Sequence, residues 1–455
     1  MIIEFNNLYA TVLSATNEEH SWLREALSFP DNKARFANRH FNTDDKIRLY
    51  NMFDQQFPTG LLPLVKKAAN KKNWVVSVID KRIKPAVIPN SNYDDSYLRD
   101  YQRLAVEKAL KTNRCILKLP TGAGKGTIAV AIMAKMPINW LFVVNKMQIA
   151  KETSERYVTQ SGLNEQVGLI GGGKWSVNRV TFATFSTLHK RLKSPDCQNL
   201  LNSVQGMIVD ECHGISSDTY KKVAFSIPGA YYRIGLSATP LSRGDEKNLL
   251  VVASTGPIAF SMKASELISK GVISRPIIKA YSCDQVSLKP TWQGVYGECI
   301  VRSKSRNKLI VEMAKKASKP GLIFVKEIKH GLLLNKMCKA HGLNTEFVWG
   351  KATIDQRNKV LDKLKEGELD FVVCSSVFTE GIDCPELTAI VIASGGKSTI
   401  QALQKIGRGM RVTSNKKSFE VWDVADTGNK WLDKHFKARC NAFKKEGFDV
   451  RIFEK

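Results

Sequence analysis

The sequence predicts an α/β protein with two parallel-sheet domains in tandem, preceded by a smaller α+β region. From Leu98 onward, short β-rich runs alternate with helical stretches, and the alternation occurs in two sets. Strand-then-helix alternation is typical of parallel sheets that carry helices on both faces. The length of 455 residues also allows for about three domains of roughly 150 residues each.

The amino-terminal region contains a predicted helix, Leu61–Asn70, and an apolar run, Trp74–Ile79. It ends in Lys84–Asn92, where proline, asparagine and serine favour extended or turning chain. We therefore expect a boundary there and a second one near Gly271–Pro276. The expected domains are a small first domain at 1–90 and two larger parallel-sheet domains at 91–272 and 273–455.

The predicted strands of the two sets share apolar, β-branched or aromatic composition. Those of the first set are Cys115–Leu119, Trp140–Val144, Val180–Ala183, Gly206–Val209 and Tyr232–Leu236. Those of the second set are Gly321–Val325, Thr345–Trp349, Phe371–Cys374, Ala389–Ala393 and Phe419–Val424. Thr353 and Gln356 have the spacing of a capping box that opens a helix.

The chain is strongly basic, with a formal net charge of +26. The three expected domains carry +4, +9 and +13 in chain order, so the excess is not confined to one tail. Such a balance indicates a polyanionic partner, for which nucleic acid is the default. An anionic membrane is the competing partner, but no basic amphipathic helix with a bulky apolar face stands out.

The nine cysteines include no C-x-x-C pair and form no metal-ligand spacing with the seven histidines. We expect buried free thiols in a reducing compartment. The start of the chain lacks the pattern of a signal peptide, and no apolar stretch approaches the length of a membrane span. The expectation is a cytoplasmic protein that acts as a monomer away from membranes.

A glycine-rich loop, Pro120-Thr-Gly-Ala-Gly-Lys125, lies between a predicted strand and a predicted helix. Gly122 and Gly124 let successive backbone N–H groups turn toward phosphate oxygens, and the helix dipole favours the same anion. Lys125 can neutralise the β- and γ-phosphates. The alternative is an ordinary glycine-rich turn. The sequence thus predicts an ATP site.

One position departs from the phosphate-loop pattern. The residue after the lysine is normally Ser or Thr, whose hydroxyl binds Mg²⁺, but here it is Gly126. The next hydroxyl belongs to Thr127, and a shift of one residue rotates a helical side chain by about 100°. Thr127 or a water molecule could then complete the metal site.

An apolar run that ends in two carboxylates, Met207–Glu211, is expected at the carboxyl edge of a parallel sheet, where ligands bind. Asp210 would hold Mg²⁺, directly or through water. Glu211 would orient and deprotonate the attacking water. Adjacent carboxylates alone are more often a solvated turn, so the preceding buried strand and the following Cys212-His213 strengthen the prediction.

Arg408 and Arg411 have the spacing that puts two side chains on one helix face, with Gly407 beside them. Arginine can stabilise the charge of a transferring phosphoryl group. An arginine finger of this kind can account for much of the rate enhancement. A basic solvated helix is the alternative. Because these arginines belong to the second domain, they would reach the phosphates only when the two domains close.

Taken in order, these segments resemble superfamily 2 helicases over roughly residues 98–425, with Asp210-Glu-Cys-His213 as a DExH box. The resemblance implies two RecA-like domains with ATP between them and nucleic acid across both. The residues implied in nucleotide binding are Arg99, Gln102 as the adenine contact, Pro120, Thr121, Gly122, Ala123, Gly124, Lys125, Gly126, Thr127, Gly381 and Asp383.

The same resemblance assigns two further groups of residues. Those implied in coupling nucleotide state to nucleic-acid contact are His213, Ser237, Thr239 and Gln404. Those implied in contact with the nucleic-acid backbone are Asn145, Lys146, Thr184, Ser186, Ser376 and Thr379. Helix caps are the alternative for the Thr and Ser residues.

The amino-terminal region is similar to the small first domain of UvsW-type phage helicases, which remodel branched DNA. The similarity includes Asp45–Leu49, Phe57–Leu62 and a basic helix with Lys66 and Lys67. We expect this helix to bind a duplex arm of the DNA. A solvated basic helix face without a ligand is the alternative.

The expected function is an ATP-dependent, Mg²⁺-using DNA helicase that unwinds or branch-migrates forks, junctions and R- or D-loops. The resemblance suggests 3′-to-5′ movement. A duplex-DNA translocase and an RNA helicase remain open, because contacts to the backbone do not select the polymer. An ATP-gated nucleic-acid clamp with little turnover also remains open, since Gly126 puts the metal site in doubt.

Overall fold

The computed structural model describes residues 1–31, 46–90, 93–241, 248–375, 386–396 and 418–454, together with Cys384 and Gly407. The chain forms two compact units. The first comprises residues 1–119 and 124–261, and the second comprises residues 120–123 and 262–455. The domain bounds expected from the sequence stay a prediction.

The amino-terminal part of the first unit is a small α+β arrangement. Its strands are β1 (Ile2–Phe5), β2 (Tyr9–Ser14), β3 (Ser28–Pro30), β4 (Lys46–Arg48), β5 (Gln56–Pro58) and β6 (Ser77–Asp80), and its helices are α1 (Asn17–Ala26) and α2 (Leu62–Asn70). Four strands form a sheet in the order β5-β2-β1-β6, and β3 pairs with β4. The predicted helix is confirmed, but only the end of the predicted apolar run forms a strand.

A largely parallel sheet dominates the rest of the first unit. Its strands are β7 (Arg114–Lys118), β8 (Trp140–Val144), β9 (Gly168–Gly171), β10 (Lys174–Ser176), β11 (Val180–Thr184), β12 (Gly206–Asp210), β13 (Tyr232–Ser237) and β14 (Ile258–Ser261). The helices are α3 (Asp100–Thr112), α4 (Lys125–Lys135), α5 (Met147–Gln160), α6 (Phe185–Lys190), α7 (Pro195–Ser203), α8 (Asp218–Ala224) and α9 (Asn248–Thr255). The strand order is β10-β9-β11-β8-β12-β13-β7-β14.

The central strands β8 and β12 are almost entirely apolar because both faces of the sheet are covered. Every residue of β8 is buried, as are the first four residues of β12. Such continuous apolar runs are typical of parallel strands in α/β proteins. Since β7, β12 and β13 run parallel, their carboxyl ends meet at one edge of the sheet, where the candidate site lies.

The amino-terminal part and the large sheet of the first unit share one hydrophobic core. Ile3 and Phe57 belong to the same cluster of buried side chains as Leu141 and Val209. At the junction, a Cβ added to Gly60 would stand 2.2 Å from the carbonyl oxygen of Val252, so the two backbones approach as closely as glycine allows. The two parts therefore form a single body.

The second unit contains another parallel sheet. Its strands are β15 (Arg275–Asp284), β16 (Gly321–Phe324), β17 (Thr345–Val348), β18 (Phe371–Cys374), β19 (Ala389–Ile392), β20 (Ser418–Thr427) and β21 (Val450–Phe453). Its helices are α10 (Ala264–Ser269), α11 (Trp292–Val295), α12 (Lys304–Lys316), α13 (Ile328–Ala340), α14 (Ile354–Lys365) and α15 (Lys430–Lys445). The strand order is β17-β18-β16-β19-β20-β15-β21, and the described pairs are all parallel.

The fold class predicted from the sequence is confirmed: two tandem RecA-like parallel-sheet domains follow a small α+β region. The capping box is also confirmed, since the Thr353 side chain accepts from the Gln356 N–H and the Gln356 side chain accepts from the Thr353 N–H. The strands β15 and β21 were not predicted.

Two buried ion pairs tie β20 to helices of the second unit. Arg306 donates Nε to Asp426 at 2.6 Å and Nη2 to the second carboxylate oxygen at 3.1 Å. Arg439 makes the same fork with Asp423, at 2.8 and 3.0 Å. All four side chains are almost fully buried. Fork geometry of this kind satisfies both charges away from water.

The cysteines are free thiols, and eight of the nine are buried. Within the described ranges, every helix falls short of the length and apolarity that a membrane span requires.

Candidate active site

The loop between β7 and α4 has the backbone shape of a phosphate cradle. Gly122 and Gly124 adopt positive φ angles of 88° and 79°, which other residues rarely adopt. Helix α4 begins at Lys125, and no side chain caps the N–H groups of its first turn. Those amides and the helix dipole make the loop suitable for an anion.

Gln102 lies against this loop. Its side chain is buried, its Oε1 accepts from the N–H of Arg99 at 3.0 Å, and Arg99 itself is exposed. A Cβ added to Gly124 would stand 2.3 Å from Nε2 of Gln102. The amide is therefore fixed beside the loop, and the predicted contact with adenine stays a prediction.

Asp210 is the last residue of β12, and Glu211 directly follows it. Glu211 has a φ of 48°, a left-handed conformation that costs energy for a residue with a Cβ. Its N–H donates to Oδ1 of Asp210 at 3.0 Å. The strained backbone thus lies at the pair of carboxylates, at the edge of the sheet.

Lys125 lies close to Glu211, with Nζ 3.6 Å from Oε1. Burial alone would raise the pKa of Glu211, but the ammonium of Lys125 and the hydrogen bond from His213 outweigh burial and lower it. Burial and the neighbouring charge of Glu211 raise the pKa of Asp210. Without a bound anion, Lys125 thus stabilises the ionised form of Glu211.

A hydrogen-bond network joins Glu211 to the end of β13. The Ser237 hydroxyl donates to Oε2 of Glu211 at 3.1 Å and lies 3.1 Å from Nδ1 of His213. The N–H of Thr239 donates to the same Ser237 oxygen at 3.2 Å. Three of the four residues predicted to couple nucleotide state to nucleic acid thus meet at the candidate general base.

The donor set for a metal is small. Asp210 provides a carboxylate, and Thr127 provides a hydroxyl near the loop, 3.8 Å from a Cβ added to Gly124. No group of three or more His, Cys, Asp or Glu side chains suited to a metal occurs in the described part of the chain. This set fits Mg²⁺ in the form in which one or two carboxylates and the substrate phosphates share the ion.

Arg156 was not predicted from the sequence and lies beside the phosphate loop. A Cβ added to Gly126 would stand 2.6 Å from Nη1 and 3.6 Å from Cζ of Arg156. The side chain comes from α5, which packs against α4. Glycine at position 126 was a signal that the usual hydroxyl is absent, but the sequence does not show which side chain takes its space.

The residues predicted to contact a nucleic-acid backbone differ in exposure. Asn145 and Lys146 follow β8 and are partly exposed. Thr184 is buried, and its hydroxyl donates to the Thr187 hydroxyl at 2.9 Å, whereas Ser186 is exposed. Of the two hydroxyls, only that of Ser186 is open to a ligand as the structure stands.

Lys66 and Lys67 lie on α2, where Lys66 is partly exposed and Lys67 is exposed. Lys72, just beyond the helix, places its Nζ 4.8 Å from the centroid of the Trp74 ring. The opposite face of α2 packs into the core through Leu62, Val65 and Ala69. The helix therefore presents a basic face to solvent.

The remaining predicted site residues lie outside the described residues. They are Ser376, Thr379, Gly381, Asp383, Gln404, Arg408 and Arg411.

The chain matches two protein families. Residues 95–242 match the family described as the res subunit of type III restriction enzymes, and residues 304–413 match the helicase conserved C-terminal domain. Among solved structures, a putative HsdR subunit of a type I restriction enzyme from Vibrio vulnificus matches with a TM-score of 0.60 and 18% identity. That match covers 80% of this chain and 70% of the HsdR chain, and it supports the fold alone.

Two curated relatives match over most of the chain. The DNA 3′-5′ translocase XPB2 of Sulfurisphaera tokodaii is 29% identical over 70% of this chain and 79% of its own length. The ATP-dependent DNA helicase uvsW of Enterobacteria phage T4 is 26% identical over 89% of this chain and 86% of its own length.

These matches define the class: the chain is a helicase that hydrolyses ATP, and it is similar to superfamily 2 helicases of the DExH type. Within that class, it resembles the UvsW-type phage helicases.

Proposed function

We propose that this helicase acts on branched DNA, which it unwinds or branch-migrates at forks, junctions and R- or D-loops during phage replication, recombination and repair. Two curated relatives are named as a DNA translocase and a DNA helicase, and the net charge of +26 suits a polyanion. The observation that carries the motor assignment is the cluster of Lys125, Glu211 and Ser237 at the carboxyl edge of the first sheet.

ATP would bind with its phosphates on the loop from Pro120 to Thr127. The amides of the first turn of α4 and the ammonium of Lys125 would hold the β- and γ-oxygens. Asp210, with Thr127 or water, would hold Mg²⁺, which neutralises phosphate charge when it is bound. Gln102 would contact the adenine, with Arg99 nearby.

Glu211 would serve as the general base that deprotonates the attacking water. In the ATP-free site, Lys125 lowers the pKa of this carboxyl and so weakens it as a base. Phosphate oxygens would compete for the same ammonium, and the pKa of Glu211 would then rise toward the range useful for proton transfer. Binding of the substrate would thereby activate the base.

Arg408 and Arg411 would complete the site from the second RecA-like domain, with Gly381 and Asp383 near the nucleotide. An arginine that reaches the transferring phosphoryl group only on domain closure would tie hydrolysis to movement. Arg411→Ala should retain ATP binding yet lose most turnover. Unchanged turnover in that variant would show that Arg411 is not an arginine finger.

Contact with DNA would be made by residues of both motor domains and of α2. The proposed contacts are Asn145, Lys146, Thr184, Ser186, Ser376, Thr379, Lys66 and Lys67. The network of His213, Ser237 and Glu211, with Thr239 and Gln404, would relay nucleotide state to these contacts, since its hydrogen bonds converge on the base.

Strand displacement with ATP tests this proposal directly. We expect forked and four-way DNA to be opened, and phosphate release to rise on addition of DNA. A duplex translocase would move without opening forks, and an RNA helicase would prefer RNA-containing substrates. The clamp alternative, kept open by Gly126, requires DNA binding without stimulated phosphate release. A cytoplasmic location and a monomeric state belong to this proposal and would be tested separately.

A further inference from the structure

Glycine at position 126 removes the hydroxyl that a phosphate loop usually presents to the metal, and Arg156 fills that space. Its Nη1 stands 2.6 Å from the place of the missing Cβ. A serine or threonine at position 126 would collide with this guanidinium unless Arg156 moved away. The loss of the hydroxyl and the position of the arginine are therefore one structural feature.

The guanidinium of Arg156 is available for a ligand. It is partly exposed, and it makes no hydrogen bond or ion pair with another side chain in the part of the chain that the structure describes. By contrast, the guanidinium of Arg179 is tied to Glu165 and Tyr157. An unpaired guanidinium beside uncapped helix amides favours an anion between them.

We propose that Arg156 binds the phosphates of the nucleotide and takes over part of the charge neutralisation that Mg²⁺ normally provides. The proposal rests on the proposed binding of ATP at residues 120–127. The guanidinium presents several N–H donors to phosphate oxygens and brings a positive charge. Nucleotide binding by this helicase then depends less on Mg²⁺ than binding by a loop that carries a hydroxyl at position 126.

The test is the affinity for a fluorescent ADP analogue, measured by titration in Mg²⁺ and in EDTA. Wild type should lose only a few-fold in affinity when the metal is removed. Arg156→Gln should bind about tenfold or more weakly than wild type in EDTA, because it loses charge-assisted hydrogen bonds. In Mg²⁺ the difference between these two proteins should be smaller. Arg156→Lys should recover part of the binding in EDTA.

Lys151→Gln is the matched control, since Lys151 is an exposed cation on the same helix. It should bind like wild type in both buffers. Thermal melting of each variant checks that it is folded. The variant Gly126→Ser tests the shared space: alone it should weaken binding in EDTA, and in the Arg156→Gln background it should strengthen binding only when Mg²⁺ is present.

Lys125→Ala separates the role of Arg156 from the existence of the phosphate site itself. If Lys125→Ala bound the analogue as tightly as wild type, the proposed phosphate site itself would be wrong. If Lys125→Ala lost binding but Arg156→Gln matched wild type in EDTA, the site would stand and the role of Arg156 would be overturned. Equal loss in Lys151→Gln and Arg156→Gln would also overturn it, because only general charge would then matter.

Discussion

Lys125 and Glu211 form an ion pair across the candidate active site, with Nζ 3.6 Å from Oε1. Each residue of the pair is proposed to act on a different reactant: Lys125 binds phosphate, and Glu211 binds the attacking water. The two residues should therefore fail in different ways when they are replaced.

Lys125→Ala should lose both nucleotide binding and hydrolysis, whereas Glu211→Gln should bind nucleotide and lose hydrolysis. We expect DNA-stimulated phosphate release to fall by about 100-fold or more in each variant. Glu211→Gln loses a positioned general base, which contributes on that order, and Lys125→Ala loses the charge that holds the phosphates. Nucleotide titration separates the two variants. Lys108→Ala removes an exposed lysine of α3 and should leave both measurements unchanged. Near-normal turnover in either site variant would show that its assigned role is wrong.

Ser237→Ala should separate hydrolysis from strand displacement. The hydroxyl joins Glu211 to His213 but is not itself proposed to touch the reacting atoms. We expect phosphate release within a few-fold of wild type and strand displacement reduced by about tenfold or more, on the order of one lost charge-assisted hydrogen bond. Ser226→Ala, which removes a partly exposed hydroxyl outside the candidate site, is the control. A parallel loss of both activities would argue against a coupling role.

Gly60→Ala should destabilise the whole first unit. The added methyl would stand 2.2 Å from the Val252 oxygen and 2.4 Å from the Ala253 oxygen, and backbone atoms cannot turn away as side chains do. We expect a cost of about 1–3 kcal/mol, typical of overpacking. Thermal unfolding measures it, and Lys67→Ala on the exposed face of α2 provides the comparison. An unchanged melting temperature would show that the two parts are less tightly joined than we conclude.

Asp426→Ala should be among the most damaging substitutions in the second unit. It leaves the guanidinium of Arg306 buried without its carboxylate, a change that costs about 3–5 kcal/mol. The double variant Arg306→Met with Asp426→Leu should be less damaging than Asp426→Ala, because no uncompensated charge remains. Denaturant unfolding of the three proteins checks the order. If the double variant were the least stable, the charge argument would fail.

His330 should make stability depend on pH. Its side chain is fully buried, Nε2 donates to Oδ1 of Asn307 at 2.9 Å, and the charge of Arg306 lies nearby. Burial, followed by the repulsion from Arg306, lowers the pKa of His330 to about 3. The folded protein thus keeps this imidazole neutral, while the unfolded chain binds a proton near pH 6.5.

Because folding lowers the pKa of His330, acidification destabilises the folded protein. The stability contributed by neutral His330 is complete above pH 6.5 and is lost as the pH falls toward 3, by at most about 1.4 kcal/mol per pH unit. His330→Gln removes the titrating group, so its unfolding free energy should depend less on pH in that range. Melting of both proteins between pH 7 and pH 4 checks this. Equal slopes would contradict the assigned pKa.

The sequence predicted the interior strands well because their pattern is local. Trp140–Val144 and Phe371–Cys374 were predicted with the bounds that the structure has, since continuous apolar runs between turns indicate buried parallel strands. Arg275–Asp284 lies between two other strands but was missed, because lysine and serine interrupt its apolar residues. Its pairing with β20 and β21, which the sequence does not display, makes this mixed segment a strand.

The candidate site was predictable as far as its motifs are contiguous. Lys125, Asp210, Glu211, His213 and Ser237 were all singled out, and the structure brings Lys125, Glu211, His213 and Ser237 into contact. Arg156 was missed because it joins Gly126 from another helix, and no short pattern records that approach. The fork between Arg306 and Asp426 was missed for the same reason, at a separation of 120 residues.

The common core of the amino-terminal region and the first motor domain has a mechanical consequence. The two regions would therefore move as one rigid body. A DNA arm bound to the basic face of α2 would be displaced together with that motor domain, with no flexible linker between them. Cutting the chain near residue 90 would not release an independent module. It would expose buried apolar surface on both fragments and separate the motor domain from the basic face of α2.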